Sequence, residues 1–340
     1  MNAGRALWFS ATTVAFFCGI AACAESGTAD GAAIPSPSEA HFAAGRAAAE
    51  PDFPGLVTLC DAMPPAVTEA RVVGNEGRRP EPPPLGPARV FDNLLFVGNR
   101  GISAWALDTS DGIILIDALA SEKQARAGIE DGLRALGLDP EDIRILVISH
   151  GHGDHYGGAP YLVGKYNPEV IMGQPDWDAL ADPDNRINAP GWFDVPEPDR
   201  TIADRETVTL GDTTIELVVT PSHTPGTLAT LFTVTDGDNA HEAVLWGGTG
   251  FNFGEHPGRL ETYAASAEAM RIEVLDRDID VLLSNHANRD LAHEKIPLLA
   301  GRGATDAHPF VMSPARVARG FEVFRECALG HAARIKASGS

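Results

Sequence analysis

Four side chains of the kinds that bind metal ions occur close together: His150, His152, Asp154 and His155. They directly follow the apolar run 143–148, whose continuous hydrophobicity predicts a strand buried on both faces. Side chains alternate along extended backbone, so His150 and His152 can point the same way, whereas Asp154 and His155 come one turn later. This spacing predicts two adjacent metal ions, one bound by imidazoles and the other by a carboxylate and an imidazole.

Two further histidines are predicted at strand ends. His223 lies in a Pro- and Gly-rich turn between two predicted strands, and His286 directly follows the short apolar run 281–284. A single histidine in such a position is usually structural, but two that join an existing motif favour a metal site. A histidine-rich surface loop without metal is disfavoured for the same reason. A metal-scavenging protein without catalysis is also disfavoured, because a purely structural site would close its coordination.

The elements that must position these residues are predicted from hydrophobic periodicity. Short β-branched runs over 90–117 precede a helical pattern over 121–136. A second series of strands over 206–246 precedes helical patterns over 260–275 and 313–334. Strands followed by helices, twice along the chain, predict an α/β protein whose two similar halves pack sheet to sheet.

Composition and charge narrow the class of partner. The chain has 340 residues, 44% of them hydrophobic, and a formal net charge of −21. A surface this acidic repels nucleic-acid backbones. We therefore expect a small-molecule substrate, no nucleic acid and a monomeric domain.

The N-terminal residues are predicted to be a targeting segment. Arg5 precedes the mostly apolar run 6–20, as in a secretory signal, and the segment ends in Ile-Ala-Ala followed by Cys23. This ending resembles the lipobox of bacterial lipoproteins, which makes 1–23 the signal peptide and Cys23 the lipidated residue; ordinary cleavage at the same small residues is the alternative. Either way we expect an exported, periplasmic protein, attached to the membrane only through its lipid.

The residues after the signal divide into two stretches. Residues 24–50 are rich in Ala, Gly, Ser and Pro, which predicts a disordered tether. Residues 51–87 contain a few larger apolar side chains and are predicted to pack against the domain. Outside the signal only Cys60 and Cys327 remain, and in an oxidising compartment we hypothesise a disulfide between them.

The pattern of His150-x-His152-x-Asp154-His155, then His223 before Thr-Pro-Gly, then His286, resembles the metallo-β-lactamase superfamily. The resemblance covers roughly residues 88–335 and is strongest to subclass B3, which lacks the ligand cysteine of subclass B1. Gly247-Gly248-Thr249 stands where that cysteine would be. The resemblance implies a four-layer αβ/βα sandwich with metals in a cleft at one sheet edge.

The resemblance also implies roles for single residues. His150, His152 and His223 would bind a first zinc ion, and Asp154, His155 and His286 a second. Asp154 would be the catalytic residue, orienting a metal-bound hydroxide that opens a lactam amide. Three neutral imidazoles leave a tetrahedral zinc one open position for water, and ligands without thiolate suit zinc.

Three residues around these ligands are further candidates. Asp117, at the end of a predicted strand, would orient a ligand imidazole; a helix-capping role is the alternative. Thr249 and Asn252 are candidates for binding a substrate carboxylate or carbonyl, and for both a structural role stays open. The remaining histidines have no matching context and are expected to face solvent: His41, His241, His256, His293, His308 and His331.

The function expected from this resemblance is that of an exported zinc-dependent β-lactamase. The alternative is a related hydrolase acting on acyl-homoserine lactones, other esters or thioesters. Many such relatives carry an Asp bridging both metals in the turn occupied here by 247–249, and its absence disfavours them. Relatives that process nucleic acids are disfavoured by the predicted export and by the acidic charge.

Overall fold

The structure is a computed structural model that describes residues 35–64, 84–182, 195–303 and 305–339. The predicted signal peptide, including Cys23, lies outside these residues. Within the described ranges, no helix combines the length and the apolar character needed to cross a membrane.

The described strands form two mixed sheets. They are β1 (Ala88–Phe91), β2 (Leu94–Phe96), β3 (Trp105–Thr109), β4 (Gly112–Ile116), β5 (Ile143–Ile148), β6 (Glu169–Gly173), β7 (Arg200–Ile202), β8 (Arg205–Leu210), β9 (Thr213–Val219), β10 (Leu228–Asp236), β11 (Asn239–Trp246) and β12 (Val281–Ser284). The first sheet has the order β1-β2-β3-β4-β5-β6-β7, antiparallel as far as β4 and parallel from there on. The second has the order β12-β11-β10-β9-β8 and is antiparallel except for the β11–β12 pair.

Helices cover the outer faces of both sheets. The described helices are α1 (Pro37–Ala49), α2 (Pro54–Val57), α3 (Glu122–Gln124), α4 (Asp131–Ala135), α5 (Gly153–Tyr156), α6 (Ala159–Tyr166), α7 (Gln174–Ala181), α8 (Pro257–Asp276), α9 (Ala292–Leu299) and α10 (Pro314–Ser338). A π-helical segment, Ala125–Glu130, joins α3 to α4, and 3₁₀ turns occupy Thr58–Cys60 and Pro140–Asp142.

Three apolar cores separate four layers. In β5, Val147 faces the core between the two sheets, whereas Leu146 faces the core under the helices of the first half. In β11, Leu245 likewise faces the inter-sheet core, whereas Trp246 packs with the helices of the second half. Both faces of each central strand are therefore buried, as its period-two alternation requires. The predicted four-layer αβ/βα sandwich is confirmed.

The prediction of a disordered tether over 24–50 is wrong for its described part, because residues 37–49 form α1. Ser36 and Glu39 form a capping box at its start, and Pro37 occupies the first helical position. Phe42, Ala48 and Ala49 are buried in the core that contains α10. Small side chains let this helix approach its neighbour closely, so a composition typical of disorder forms a packed helix here.

The predicted Cys60–Cys327 disulfide is present, and it links the turn after α2 to the middle of α10. Its sulfurs lie under α1, because a Cβ added to Gly45 would stand 2.6 Å from Cys60 Sγ and 3.0 Å from Cys327 Sγ. Arg46 of α1 also donates to the Cys60 carbonyl at 2.9 Å. The segment 35–64 is thus attached to the C-terminal helix by packing, hydrogen bonds and a covalent bond.

Two of the histidines expected to face solvent are buried. His331 is 0% exposed, stacks edge-on against Phe42 of α1 and places Nε2 2.8 Å from the Leu59 carbonyl. His308 is 7% exposed and places Nε2 2.8 Å from the Val90 carbonyl. The expectation for His331 is wrong because the sequence reading left α1, which covers it, as a tether.

We predict that the disulfide stabilises the fold appreciably, since it closes a loop with a sequence separation of 267 residues. Removing such a bond typically costs about 2–5 kcal/mol, which corresponds to a fall in Tm of roughly 3–8 °C in a domain of this size. The measurement is thermal unfolding of Cys60→Ala/Cys327→Ala against wild type, with reduced wild type as the control. Equal Tm values for oxidised and reduced wild type would contradict the prediction.

Candidate metal centre

Three histidines from two separate turns converge in a first group. His150 and His152 follow the end of β5, and His223 lies in the turn between β9 and β10. His150 Nε2 lies 3.1 Å from His152 Nδ1, which lies 2.9 Å from His223 Nε2. All three residues are buried, and their nitrogens could hold one metal ion between them.

A second group lies beside the first. Asp154 Oδ2 is 3.5 Å from His155 Nε2 and 3.9 Å from His286 Nε2. His150 borders both groups, since it also clusters with Asp154 and His155. The structure therefore brings together all six residues that the sequence nominates as metal ligands, divided as three histidines and one Asp-His-His set.

The outer nitrogens of three of these rings are held by hydrogen bonds. His223 Nδ1 lies 2.9 Å from the Gly250 carbonyl, and His286 Nδ1 lies 2.9 Å from the Gly101 carbonyl. His155 Nδ1 lies 2.8 Å from Asp117 Oδ2. Carbonyl and carboxylate oxygens only accept, so each Nδ1 carries a proton and each Nε2 is the nitrogen that faces the cluster.

The arrangement fits metal cations. Among the described residues, His155 Nε2 is buried without a hydrogen-bond partner, and an orphaned polar atom of this kind costs free energy. Nitrogen lone pairs about 3 Å apart also repel one another. Cations between them would satisfy the orphaned nitrogen and remove the repulsion, and a set of imidazoles and one carboxylate suits zinc.

The pKa values of the candidate ligands differ between the two groups. Burial and the neighbouring histidines lower the pKa of His150 and of His223 well below the usual range. Burial likewise lowers the pKa of His152 to about 4. His155 differs: burial opposes its charge, but the carboxylates of Asp154 and Asp117 outweigh burial and raise its pKa to about 10. The first group is thus neutral and ready to coordinate, whereas His155 must lose its Nε2 proton when it binds a metal ion.

Asp117 lies where the sequence reading put it. It directly follows β4, and its carboxylate accepts from His155 Nδ1, from the Ser149 amide at 2.8 Å and from the Ser149 hydroxyl at 2.8 Å. It is 1% exposed, with a left-handed φ of 67°. Asp117 therefore orients a ligand ring and fixes the backbone at the end of β5.

Asp176 is a buried carboxylate that sequence reasoning missed. Its Oδ2 accepts from the Gly151 amide at 2.7 Å and from the Thr224 hydroxyl at 2.6 Å, and its Oδ1 accepts from the Gly226 amide at 2.6 Å. Gly151 lies between two ligands of the first group, and Thr224 follows the third. Asp176 thus ties together the two turns that carry this group. Its position in α7 gave no signal, since an Asp in the first turn of a helix is ordinary.

Asn285 is a second residue that the sequence reading left unassigned. Its side-chain nitrogen lies 2.6 Å from the Gly247 carbonyl and 3.1 Å from His150 Nδ1. It directly precedes His286, so it connects the turns after β11 and β12 to the motif after β5. The sequence signal that could have identified Asn285 is its position next to a candidate ligand at the end of a strand.

The predicted substrate residues flank Gly250, which lies beside the His223 ring. Thr249 is 1% exposed, and its hydroxyl has no hydrogen-bond partner within the described residues. The Asn252 Oδ1 atom is likewise buried without a partner there. A Cβ added to Gly250, between them, would lie 3.4 Å from His223 Cε1 and 3.5 Å from Asn252 Oδ1. The segment 249–252, which carries these two unsatisfied polar atoms, therefore passes beside the His223 ring.

A four-layer αβ/βα sandwich with these six residues at the ends of its strands defines a class of metal-dependent hydrolases. Residues 97–233 match the family model of the metallo-beta-lactamase superfamily. The structural resemblance of the chain lies mainly with subclass B3 metallo-β-lactamases, which confirms the resemblance read from the sequence.

Solved structures resemble most of the described fold. BJP-1, a subclass B3 metallo-beta-lactamase of Bradyrhizobium japonicum, is 26% identical, with a TM-score of 0.62 over 76% of this chain and 97% of that one. The FEZ-1 metallo-beta-lactamase of Legionella gormanii is 25% identical, with a TM-score of 0.60 over 71% of this chain and 94% of that one.

Curated relatives match a shorter part of the chain. Exodeoxyribonuclease WalJ of Streptococcus pneumoniae is 32% identical over 88 residues, which cover 26% of this chain and 31% of that protein. A probable metallo-hydrolase of Burkholderia pseudomallei is 32% identical over 103 residues, which cover 30% of this chain and 34% of that protein. The match therefore spans about a third of the length of these relatives.

We predict that Asp176→Asn weakens metal binding by the three-histidine group. The amide offers one oxygen where the carboxylate offers two, so it loses at least one bond between the two turns. Loss of such a supporting interaction typically lowers metal affinity about tenfold or more. Chelator competition with Zn²⁺ measures it, and Asp178→Asn, an exposed position on the same helix, is the control. Equal affinities in D176N and D178N would refute the bridging role.

Proposed function

We propose that this protein is a zinc-dependent hydrolase that opens lactam amides, as a subclass B3-type β-lactamase. The proposal rests on the arrangement of the six candidate ligands in two adjacent groups. One group contains three histidines, and the other contains Asp154 with two histidines. Zinc ions bound there would supply Lewis acidity and lower the pKa of a coordinated water to about 7. The resemblance to BJP-1 supports the choice of lactams among hydrolase substrates.

The protein's own residues would orient the nucleophile and the substrate. Asp154 is held by the two rings of its group, which lower its pKa against the opposing effect of burial, so it stays an acceptor at neutral pH. Its second oxygen can accept a hydrogen bond from an attacking water and direct that water's lone pair. The Thr249 hydroxyl and the Asn252 amide are unsatisfied groups that can bind polar atoms of the substrate.

A second candidate is hydrolysis of other esters, including lactones and phosphodiesters. The match to an exodeoxyribonuclease over 88 residues favours the phosphodiester version. The net charge of −21 disfavours it, because a polyanionic substrate would be repelled. Lactones remain the alternative with the chemistry nearest to that of lactams.

A substrate panel and Asp154→Asn test the proposal together. With two equivalents of Zn²⁺, we expect wild type to hydrolyse a chromogenic cephalosporin faster than an acyl-homoserine lactone or single-stranded DNA, and a chelator to abolish the activity. D154N should lose about a hundredfold or more in kcat/KM, since it loses a carboxylate at the reacting centre. If the protein hydrolyses the lactone or the DNA but not the cephalosporin, lactams are not its substrates, and the class of the hydrolysed compound takes their place.

We also propose that the protein is exported and anchored by a lipid on Cys23. The apolar run before this cysteine supports export, and the disulfide suits an oxidising compartment. In a bacterial host we expect the full chain in the membrane fraction and Cys23→Ala outside it, with an acylated N-terminal peptide by mass spectrometry only for wild type. Identical fractionation of both forms would contradict lipidation.

A further inference from the structure

Asp290 is a buried carboxylate whose hydrogen-bond donors are backbone amides. It is 6% exposed, and it accepts from the Ser284 amide through Oδ2 at 2.8 Å and from the Ala292 amide through Oδ1 at 3.0 Å. Ser284 is the last residue of β12, and Ala292 is the first residue of α9. One side chain therefore joins the two ends of the loop 285–291, which we call the His286 loop after the candidate ligand that it carries.

The burial of this carboxylate exceeds what the start of α9 alone requires. Burial raises the pKa of Asp290 to about 6, an effect that the positive charge of Lys295 and the two backbone amides partly offset. The group is therefore mostly ionised at neutral pH, and both oxygens can accept. A buried charge costs free energy, whereas an exposed side chain could accept from the first amides of a helix at a lower cost. Closure of the His286 loop is the additional interaction that the buried position supplies.

The buried acidic residues of the described chain form two sets. Glu130 and Glu326 accept from arginine or lysine side chains. Asp117, Asp176 and Asp290 accept instead from backbone amides at the ends of strands. The turns held by Asp117 and Asp176 carry candidate metal ligands, and so does the loop that Asp290 closes. The common property of these three carboxylates is thus the support of a ligand-bearing turn.

The backbone beside Asp290 adopts a conformation that needs such support. Leu291 has a φ of 62°, in the left-handed region that residues other than glycine rarely adopt. A residue keeps this conformation only where the surrounding contacts enforce it, and such residues are frequent at functional sites. Leu291 lies between Asp290 and Ala292, the two residues that the Oδ1 bond joins. The carboxylate therefore holds the His286 loop in a strained conformation where it enters α9.

The His286 ring is connected to Asp290 through Ser284. The Ser284 hydroxyl accepts from the His286 amide at 3.0 Å, and the amide of the same serine donates to Asp290. The ring nitrogen Nδ1 donates to the Gly101 carbonyl, which leaves Nε2 facing Asp154. The three histidines of the first group lie on other turns. A displacement of the His286 loop would therefore act mainly on the second group.

We propose that Asp290 is a positioning residue for the second metal position, whose affinity it sets by fixing the His286 loop. It lies outside the set of ligands and acts through Ser284 on the place and direction of the His286 ring. Side chains that support ligands in this way typically change metal affinity by about tenfold to a hundredfold. The inference rests on the metal centre of the proposed function and holds for any substrate that this centre hydrolyses.

Metal titration of Asp290→Asn tests this assignment. Competition for Zn²⁺ between the protein and a chromogenic chelator gives a Kd for each position, and His286→Ala identifies the Kd of the second. The asparagine amide places an N–H group opposite a backbone N–H, so at least one of the two bonds is lost. We expect the second Kd to rise about tenfold or more in D290N, and the first to stay within about threefold of wild type.

Two further variants separate positioning from general stability. Asp280→Asn is the matched control, because Asp280 precedes the other end of β12 and pairs with His241; both Kd values should stay unchanged. Ser284→Ala removes only the acceptor of the His286 amide and should also raise the second Kd.

If D290N lowers Tm but leaves the second Kd unchanged, or raises both Kd values equally, Asp290 does not position His286. If D290N fails to fold, S284A decides, and an unchanged second Kd in that variant overturns the proposal. The titration measures no turnover, so a failure to hydrolyse lactams would refute the proposed function and leave the result for Asp290 intact.

Discussion

The close approach of imidazole nitrogens in a buried space is the constraint on which the rest of the structure depends. His152 Nδ1 lies 2.9 Å from His223 Nε2 and 3.1 Å from His150 Nε2, and His155 Nε2 is buried with no hydrogen-bond partner in the part of the chain that the structure describes. Lone pairs this close repel one another unless a proton or a metal cation lies between them. The fold must therefore supply the free energy that holds these rings together before a metal ion binds.

Two buried carboxylates provide much of that support. Asp117 connects the end of β4 to Ser149 and to the His155 ring, and Asp176 connects the turn after β5 to the turn that carries His223. Neither is placed to bind metal itself in the described arrangement. Their shared property is acceptance of several N–H or O–H donors from different turns, which lets one side chain fix a distance between loops.

The N-terminal segment 35–64 supports the loop that carries His286. Its disulfide partner lies on α10, and Arg289, three residues after His286, donates to Gly55 and Thr58. A Cβ on Gly55 would lie 2.2 Å from the Asn288 carbonyl, so the segment packs directly on this loop. The loop that carries His286 is consequently held between the inter-sheet core and a segment far away in sequence.

The sequence alone determined the six candidate ligands, the two-sheet sandwich and the disulfide, because each leaves a local or compositional signal. A histidine at a strand end, a two-sided apolar strand and an isolated cysteine pair can all be recognised without coordinates. Only the tertiary structure decided the positions of Asp176 and α1, since each depends on partners distant in sequence. An Asp in a helical first turn and an Ala-rich stretch are locally ordinary. The contacts of Asp176 with the His223 turn and of α1 with α10 become visible only in the folded chain.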